Sequence, residues 1–227
     1  MAIAIGDIHG CLDTLKALIS RLPPGEDLVF LGDYVDRGPD SAGVIDYLTE
    51  LSERRPCRLL MGNHEHLMRQ VTETLENLTL WRANGGDETL RSYRQEPEDW
   101  LRLHDRAAPL RRFLTLYPRL MLWHEDEHAI YVHAGVDVQV PDMAAQKPEV
   151  LMWIRERFYQ RWRDWQGKPV VFGHTPTHVM GLPRGRIFQQ GKLYGIDTGC
   201  VYGGVLTALD TRTGRLYQQE SEMPPRR

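Results

Sequence analysis

Three short blocks constrain this chain more than anything else in it: Gly6-Asp7-Ile8-His9-Gly10, Gly32-Asp33-Tyr34-Val35-Asp36-Arg37-Gly38 and Gly62-Asn63-His64-Glu65. Each follows an apolar run of strand type, at residues 2–5, 28–31 and 58–61. Between them Leu12, Leu15, Ala17, Leu18 and Ile19 recur at helical spacing and stop at Pro23-Pro24-Gly25. Val44, Ile45, Leu48 and Leu51 do the same, starting near Asp40/Ser41 and ending before Pro56. This alternation predicts an α/β fold in which parallel strands are joined by crossover helices. In such sheets the polar residues beyond the strands' carboxyl ends collect at one edge.

From about residue 66 to 118 the period turns helical, broken once at Asn84-Gly85-Gly86. No Pro/Gly/Ser linker flanks that stretch, so it reads as a helical insert beside the sheet, within a single domain spanning 1–227. Strand-type runs return at 120–123, 129–132, 170–172, 193–196, 205–209 and 216–217, the last two joined by an Asp210-Thr211-Arg212-Thr213-Gly214 turn. The tail over 219–227 is expected to fray.

A net charge of −3 and a pI near 6.3 exclude a global electrostatic grip on nucleic acid or an anionic membrane. The apolar runs are far too short to span a bilayer. The Asp7/His9 block begins too early to follow a cleaved leader, so a mature cytoplasmic protein is expected. Cys11, Cys57 and Cys200 lack CxxC spacing and read as buried thiols.

Five strand ends deliver metal-type ligands: Asp7 with His9, Asp33, Asn63, His133 in Val132-His133-Ala134-Gly135, and His174 in Phe172-Gly173-His174-Thr175. Hard oxygen with imidazole and no thiolate suits Mn²⁺, Fe or Zn²⁺. Six protein ligands exceed the needs of one catalytic ion. They suit two ions about 3.5–4 Å apart that share a carboxylate. Asp33 is the expected bridge, Asp7 and His9 serving one ion and Asn63, His133 and His174 the other. Such a pair gives a hydroxide at neutral pH and clamps phosphoryl oxygens for in-line attack. Arg37 and Arg155 can take the remaining phosphate oxygens by bidentate geometry, with Arg157 as the competitor of Arg155. His64 can protonate the leaving alkoxide, and Asp36 can orient that imidazole and keep it charged.

These motifs resemble the phosphoprotein phosphatase (PPP) family of calcineurin-like metallophosphoesterases, above all its small bacterial and bacteriophage members. They run from residue 6 to 175, and the similar Gly195-Ile196-Asp197-Thr198-Gly199 extends the likeness to about 200. The resemblance implies a β-sandwich flanked by helices and a dinuclear site, commonly Mn²⁺-activated. It also implies hydrolysis of phosphoserine and phosphothreonine without a covalent intermediate. It assigns metal ligation to Asp7, His9, Asp33, Asn63, His133 and His174, phosphate contact to Arg37 and Arg155, and the acid and its orienter to His64 and Asp36. A phosphoprotein or phosphopeptide is then the partner, with small phosphoesters accepted in vitro. The chain is too short for the C-terminal regions of the large eukaryotic members. Symmetrical diadenosine tetraphosphate hydrolases are similar through GDxHG and GNH, but typically lack the Asp of the VDRG block and end the third block in Asp. Asp36 and Glu65 favour the phosphoprotein reading, with dinucleoside polyphosphate hydrolysis as the alternative.

Other candidates carry blander readings. His66, His104, His124, His128 and His178 lie outside the pattern, with His66 and His178 close enough in sequence to line a rim. The tryptophans between 153 and 165 read as packing first and as an aromatic peptide groove second. Arg106, Arg111 and Arg112 read as a solvated helix face.

Overall fold

A computed structural model describes residues 2–100, 105 and 107–225. The strands are β1 (Ala2–Ile5), β2 (Asp27–Phe30), β3 (Cys57–Leu59), β4 (Trp123–Glu125), β5 (Ile130–Val132), β6 (Val170–Phe172), β7 (Phe188–Gln190), β8 (Leu193–Gly195), β9 (Val205–Asp210) and β10 (Leu216–Glu220). The helices are α1 (Leu12–Ser20), α2 (Ser41–Arg54), α3 (Asn63–Gln70), α4 (Leu75–Trp81), α5 (Asp87–Ser92), α6 (Pro97–Trp100), α7 (Arg111–Leu116), α8 (Pro148–Trp153) and α9 (Glu156–Tyr159). The strands form two five-stranded sheets, ordered β10-β9-β1-β2-β3 and β4-β5-β6-β8-β7. Three strands run parallel in each: β1, β2 and β3, which reach one edge of the first sheet, and β5, β6 and β8 at the centre of the second. Antiparallel β9 and β10 complete the first sheet, and antiparallel β4 and β7 close both edges of the second.

Two-residue alternation sorts the side chains into three cores. On β1 and β2, Ile3, Ile5, Leu28 and Phe30 face α1, α2 and the insert. Ala2, Ala4, Val29 and Leu31 face the other way and meet Tyr131, Val171, Ile196 and Leu209 between the sheets. Ile130, Val132, Val170 and Phe172 pack outward on Leu151 and Phe158. Sheets buried on both faces read as near-continuous apolar runs, as these do. Truncating Phe30, fully buried, to alanine would cost about 3–5 kcal/mol.

Local signals set the crossover helices. Asp40 caps α2, its carboxylate accepting the Gly43 N–H at 2.8 Å, and Pro56 follows the helix end. Helices α4 to α7 form the expected insert, and α5 and α7 pack on α2. The helix that leads into it, α3, begins inside the third block, so His64 is itself helical. Trp81 and Trp100 are fully buried and meet edge to face at 6.2 Å.

Three expectations need correction. The run at 120–123 is not one strand: Leu120 ends a 3₁₀ turn, Met121 makes a lone bridge to Leu60, and β4 starts at Trp123. An edge strand, β7, was not foreseen, because its half-exposed Phe-Gln-Gln sequence carries no apolar run. The tail does not fray from 219. Gln219 and Glu220 pair in β10, and the Glu222 N–H donates to Thr14 Oγ at 2.9 Å. Residues 226–227 lie outside the described residues, as do His104 and Arg106.

Candidate metal centre and phosphate site

The carboxyl ends of β1, β2, β5 and β6 and the first turn of α3 meet at one edge. Asp7, His9, Asp33, Asn63, His64, His133 and His174 converge there, none more than 5% exposed. Five of the six non-glycine residues with left-handed backbone among the described residues belong to the site: His9, Asp33, Asp36, Arg37 and His174. Each such residue costs on the order of 1–2 kcal/mol and persists only where its surroundings over-determine it. Here the N–H groups of Ile8 and His9 both donate to the Asp33 carbonyl, at 3.1 and 2.8 Å. The Glu65 carboxylate accepts from the N–H groups of Asp33 (2.9 Å), Tyr34 (2.8 Å), Val35 (3.3 Å) and Gly62 (2.9 Å). Glu65 thus clasps the second block to the third, a job the sequence reading did not give it. Burial and the Asp33 charge push its carboxyl up to about 8, against the pull of those N–H bonds.

Two donor groups share one carboxylate. His9, Asp33 and His64 form one, and Asp33, His133 and His174 the other, with the ligand atoms of each within 4.8 Å of one another. Asp33 Oδ2 lies 3.4 Å from His9 Nε2 and 3.9 Å from His64 Nε2, and its Oδ1 lies 3.3 Å from His133 Nε2. Asn63 Oδ1 and His174 Nδ1 approach His133 Nε2 at 3.0 and 3.2 Å. Ring orientation is fixed from behind: His9 Nδ1 bonds the Val35 carbonyl at 2.8 Å and His133 Nδ1 that of Leu31 at 2.9 Å. Such bonds leave each Nε2 lone pair aimed inward. Asp7 accepts the His174 N–H through Oδ2 at 2.9 Å, while its buried Oδ1 has no hydrogen-bond partner. Converging lone pairs, a shared carboxylate and an orphaned buried oxygen fit a pair of divalent ions. Asp33 would lie between them, with His9 on one side and Asn63, His133 and His174 on the other.

The electrostatics point the same way. Burial holds His9, His133 and His174 below the usual histidine range, favouring neutral, ligating imidazoles. Burial also raises Asp7, helped by Asp197 and Asp33. For Asp33 burial acts upward, but His133, His64 and His9 outweigh it and hold the carboxyl well below its ordinary range.

Asp36 and His64 form a buried pair, Oδ2 to Nδ1 at 2.7 Å. Burial would discharge the imidazole, but Asp33 and Asp36 outweigh it and raise its pKa, leaving Nε2 as a proton donor facing the site. The insert holds Asp36 in turn. Trp81 Nε1 donates to both its oxygens at 2.9 Å, and Thr89 Oγ donates to Oδ1 at 2.8 Å. Neither Trp81 nor Thr89 was singled out in the sequence.

The two arginines flank the centre. The Arg37 guanidinium reaches His9 Nε2 at 2.9 Å and lies over the Tyr202 ring at 5.9 Å, while its N–H donates to the Gly85 carbonyl at 3.0 Å. Arg155 donates from Nη1 to the His174 carbonyl (3.2 Å) and to Thr175 Oγ (3.1 Å). Arg155 and Arg157 both line the adjoining cavity, and of the two it is Arg155 whose hydrogen bonds reach His174 and Thr175. Asp197 is also placed here. The Ile196 N–H donates to the Phe172 carbonyl, Asp197 is buried close enough to raise Asp7, and burial and Asp33 push its own carboxyl up to about 6. Its sequence block was noticed, but nothing in one lone Asp marked it.

Of the remaining candidates His178 comes nearest, against the Tyr202 ring that Arg37 covers. His124 stacks on Tyr131 at 5.9 Å, His178 meets Tyr202 edge on at 5.7 Å, and the Tyr117 hydroxyl lies 3.5 Å from His66 Nδ1. Arg112 is not merely solvated, pairing with Asp46 of α2 at 2.5 Å. Trp165 is packing, its Nε1 donating to the Lys168 carbonyl, whereas Trp153 is exposed.

The family model described as calcineurin-like phosphoesterase matches residues 2–192. A relative from Salmonella typhimurium, serine/threonine-protein phosphatase 1, is 32% identical over 89% of this chain and 88% of its own. A bis(5'-nucleosyl)-tetraphosphatase PrpE [asymmetrical] from Geobacillus thermodenitrificans is 28% identical over 97% of this chain and 94% of its own. Among solved structures, a putative diadenosine tetraphosphatase superposes with a TM-score of 0.67 at 24% identity, over 97% of this chain and 93% of that one. A Saccharomyces cerevisiae protein serine/threonine phosphatase gives 0.64 at 16% identity, over 99% and 81%. At those identities the structural likenesses speak for the fold.

Proposed function

This chain belongs to the calcineurin-like phosphoesterase family, and we propose that within it the protein is a metal-dependent phosphomonoesterase acting on phosphoserine and phosphothreonine side chains. The observation that carries this reading is the buried His64–Asp36 pair. A serine or threonine alkoxide is a far stronger base than a nucleotide phosphate, so its departure calls for a positioned acid. A polyphosphate anhydride has a leaving group that departs without one.

Bound at Asp7, His9, Asp33, Asn63, His133 and His174, two divalent ions would supply Lewis-acid activation of water and of the phosphoryl oxygens, and we assign Mn²⁺ to them. The chain's own groups do the rest. Arg37 and Arg155 hold the non-bridging oxygens from opposite sides and fix the phosphorus for in-line displacement. A water oxygen bonds to phosphorus as the ester P–O bond breaks, the alkoxide takes its proton from His64 Nε2, and the proton given up by the water passes to solvent, from which His64 is recharged. Asp36 keeps the imidazolium oriented and stabilised, and Trp81 and Thr89 keep Asp36 from turning away.

Hydrolysis of dinucleoside polyphosphates is the second reading, favoured by the tetraphosphatase relatives. Initial rates on a phosphoserine/phosphothreonine peptide and on diadenosine tetraphosphate, in Mn²⁺ after chelator stripping, decide between them. The expected outcome is a higher kcat/KM for the peptide. A clear preference for the dinucleotide would replace the first reading and keep the metal and arginine roles.

A further inference from the structure

Trp153 is an exposed indole at the edge of a buried metal-type centre. Its helix, α8, is anchored by Leu151 and Met152, and the Leu151 carbonyl accepts the N–H of Ala134, next to His133. The last residue of this fixed helix is therefore held out in a defined place. Trp153 is 40% exposed, and its ring meets that of His174 edge on at 6.2 Å. It walls a cavity of about 690 Å³ whose apolar part is Val150 and Ile154 and whose inner boundary is Arg155. A phosphate held by Arg155 would have the rest of its ester beside this indole.

The opposite flank is unlike it. The cavity beyond Arg37, about 450 Å³, is lined by the insert, and the cations there are already tied, Arg82 to Asp87 and Glu98, Arg91 to Glu88. Tyr202, the one aromatic ring among the described residues lining that cavity, already lies under the Arg37 guanidinium, whereas Val150, Trp153 and Ile154 form an apolar wall on the other side. The charges there select among occupants. Asp137, Glu149 and Glu156 stand on the rim with Arg157 and Arg161, and Arg161 is already paired with Asp164, so further phosphates of a nucleotide would meet three carboxylates against Arg157, whereas an uncharged side chain carries no such repulsion.

We infer that the Trp153 cavity is a polypeptide subsite that takes a flat, aromatic side chain next to the phosphorylated residue. This rests on the phosphoprotein reading above. Exposed tryptophans in pockets are the usual anchors of such recognition, and stacking of this kind is worth roughly a three- to tenfold gain in affinity.

The test uses two phosphoserine peptides that differ only in phenylalanine or alanine beside the phosphoserine, assayed with the Mn²⁺-loaded full chain. The wild type should favour the phenylalanine peptide by about fivefold in kcat/KM, through KM. Trp153→Ala should bring that ratio to about one, and Trp153→Phe should retain most of it. Leu216→Ala, at an exposed position of β10 in the other sheet, should leave the ratio as in the wild type. Equal wild-type rates on the two peptides, or a Trp153→Ala enzyme slowed alike on both through kcat, would overturn the subsite while leaving the phosphoprotein reading intact. Turnover of diadenosine tetraphosphate with none of either peptide would overturn both.

Discussion

Arg37 and Arg155 border the donor cluster, one bonded to His9 and the other to the His174 carbonyl, on flanks built in opposite ways. Arg37 has left-handed backbone, is bonded through its N–H to Gly85 of the insert, and lies against Tyr202. Its neighbour Asp36 is fully buried and hydrogen-bonded by Trp81 and Thr89. Arg155 is tied to His174 and Thr175, but beyond it lies the roomy, part-apolar cavity of Trp153. Under the proposed function the pinned flank would serve steps that are the same for every phosphomonoester, holding one phosphate edge and protonating one oxygen, and the open flank what varies between substrates. Changes on the pinned flank should therefore act on kcat with every substrate, and changes on the open flank on KM with some.

Asp33 lies between the flanks, so its loss should erase the difference between them. Asp33→Asn is expected to lower turnover by roughly three orders of magnitude on any substrate, because it removes the shared carboxylate. Melting curves supply the independent readout. Added Mn²⁺ should raise the Tm of the stripped wild type, since a ligand that binds only the folded state stabilises it, and should raise that of Asp33→Asn far less. An undiminished Mn²⁺ effect in the variant would remove Asp33 from the centre.

On the pinned flank His64→Asn should lower kcat by about 10²–10³-fold with little change in KM, the size expected of a lost general acid. The loss should shrink on an aryl phosphate, whose leaving group needs a proton less. An equal loss on both would make His64 a ligand rather than an acid, which its distance to Asp33 also permits.

Gly85→Ala probes the pin itself without touching a reacting group. A Cβ there would lie 2.6 Å from Arg37 Cγ, on a backbone with φ of +100°. The variant should lose about 1–3 kcal/mol of stability and be slowed about tenfold on peptides and small esters alike. A substrate-dependent effect would mean that this flank, too, reads the substrate.

How much of this contrast could be read beforehand follows from where each residue sits. Asp7, His9, Asp33, Asn63, His133 and His174 were legible because the strands that end just before them are short apolar runs, and a parallel sheet brings such ends to one edge. The insert was legible as helical, but its use was not. Trp81 and Thr89 meet Asp36 across 45 and 53 residues, and helical spacing marks them only as core. Asn84-Gly85-Gly86 read as a break and is one, Gly85 kinking the chain with a φ of +100°. That its carbonyl also holds Arg37 only the tertiary contact shows. Glu65 was noticed as a letter distinguishing one family branch from another, whereas its physical task is to accept four backbone N–H groups that steady the left-handed Asp33.

The smallest expected effect is the most specific to the pinned flank. Asp36 raises the His64 pKa by charge and by a direct hydrogen bond, and burial alone would lower it. The acid works while His64 is protonated, so kcat should fall as pH rises through that raised value. Asp36→Asn removes the charge and keeps the side-chain size. His64 then deprotonates at lower pH, and the alkaline limb of the kcat profile should move toward acid. Linkage gives the same sign in stability. A histidine whose folded pKa lies above its unfolded value of about 6.5 stabilises the fold fully below that value and loses the contribution as pH rises through the folded pKa. The variant should therefore lose its histidine-linked stability at lower pH than the wild type. On the open flank Trp153→Ala carries no titrating group and should leave the limb where it is in the wild type. A limb that shifts with Trp153→Ala but not with Asp36→Asn would reverse the roles assigned to the two flanks.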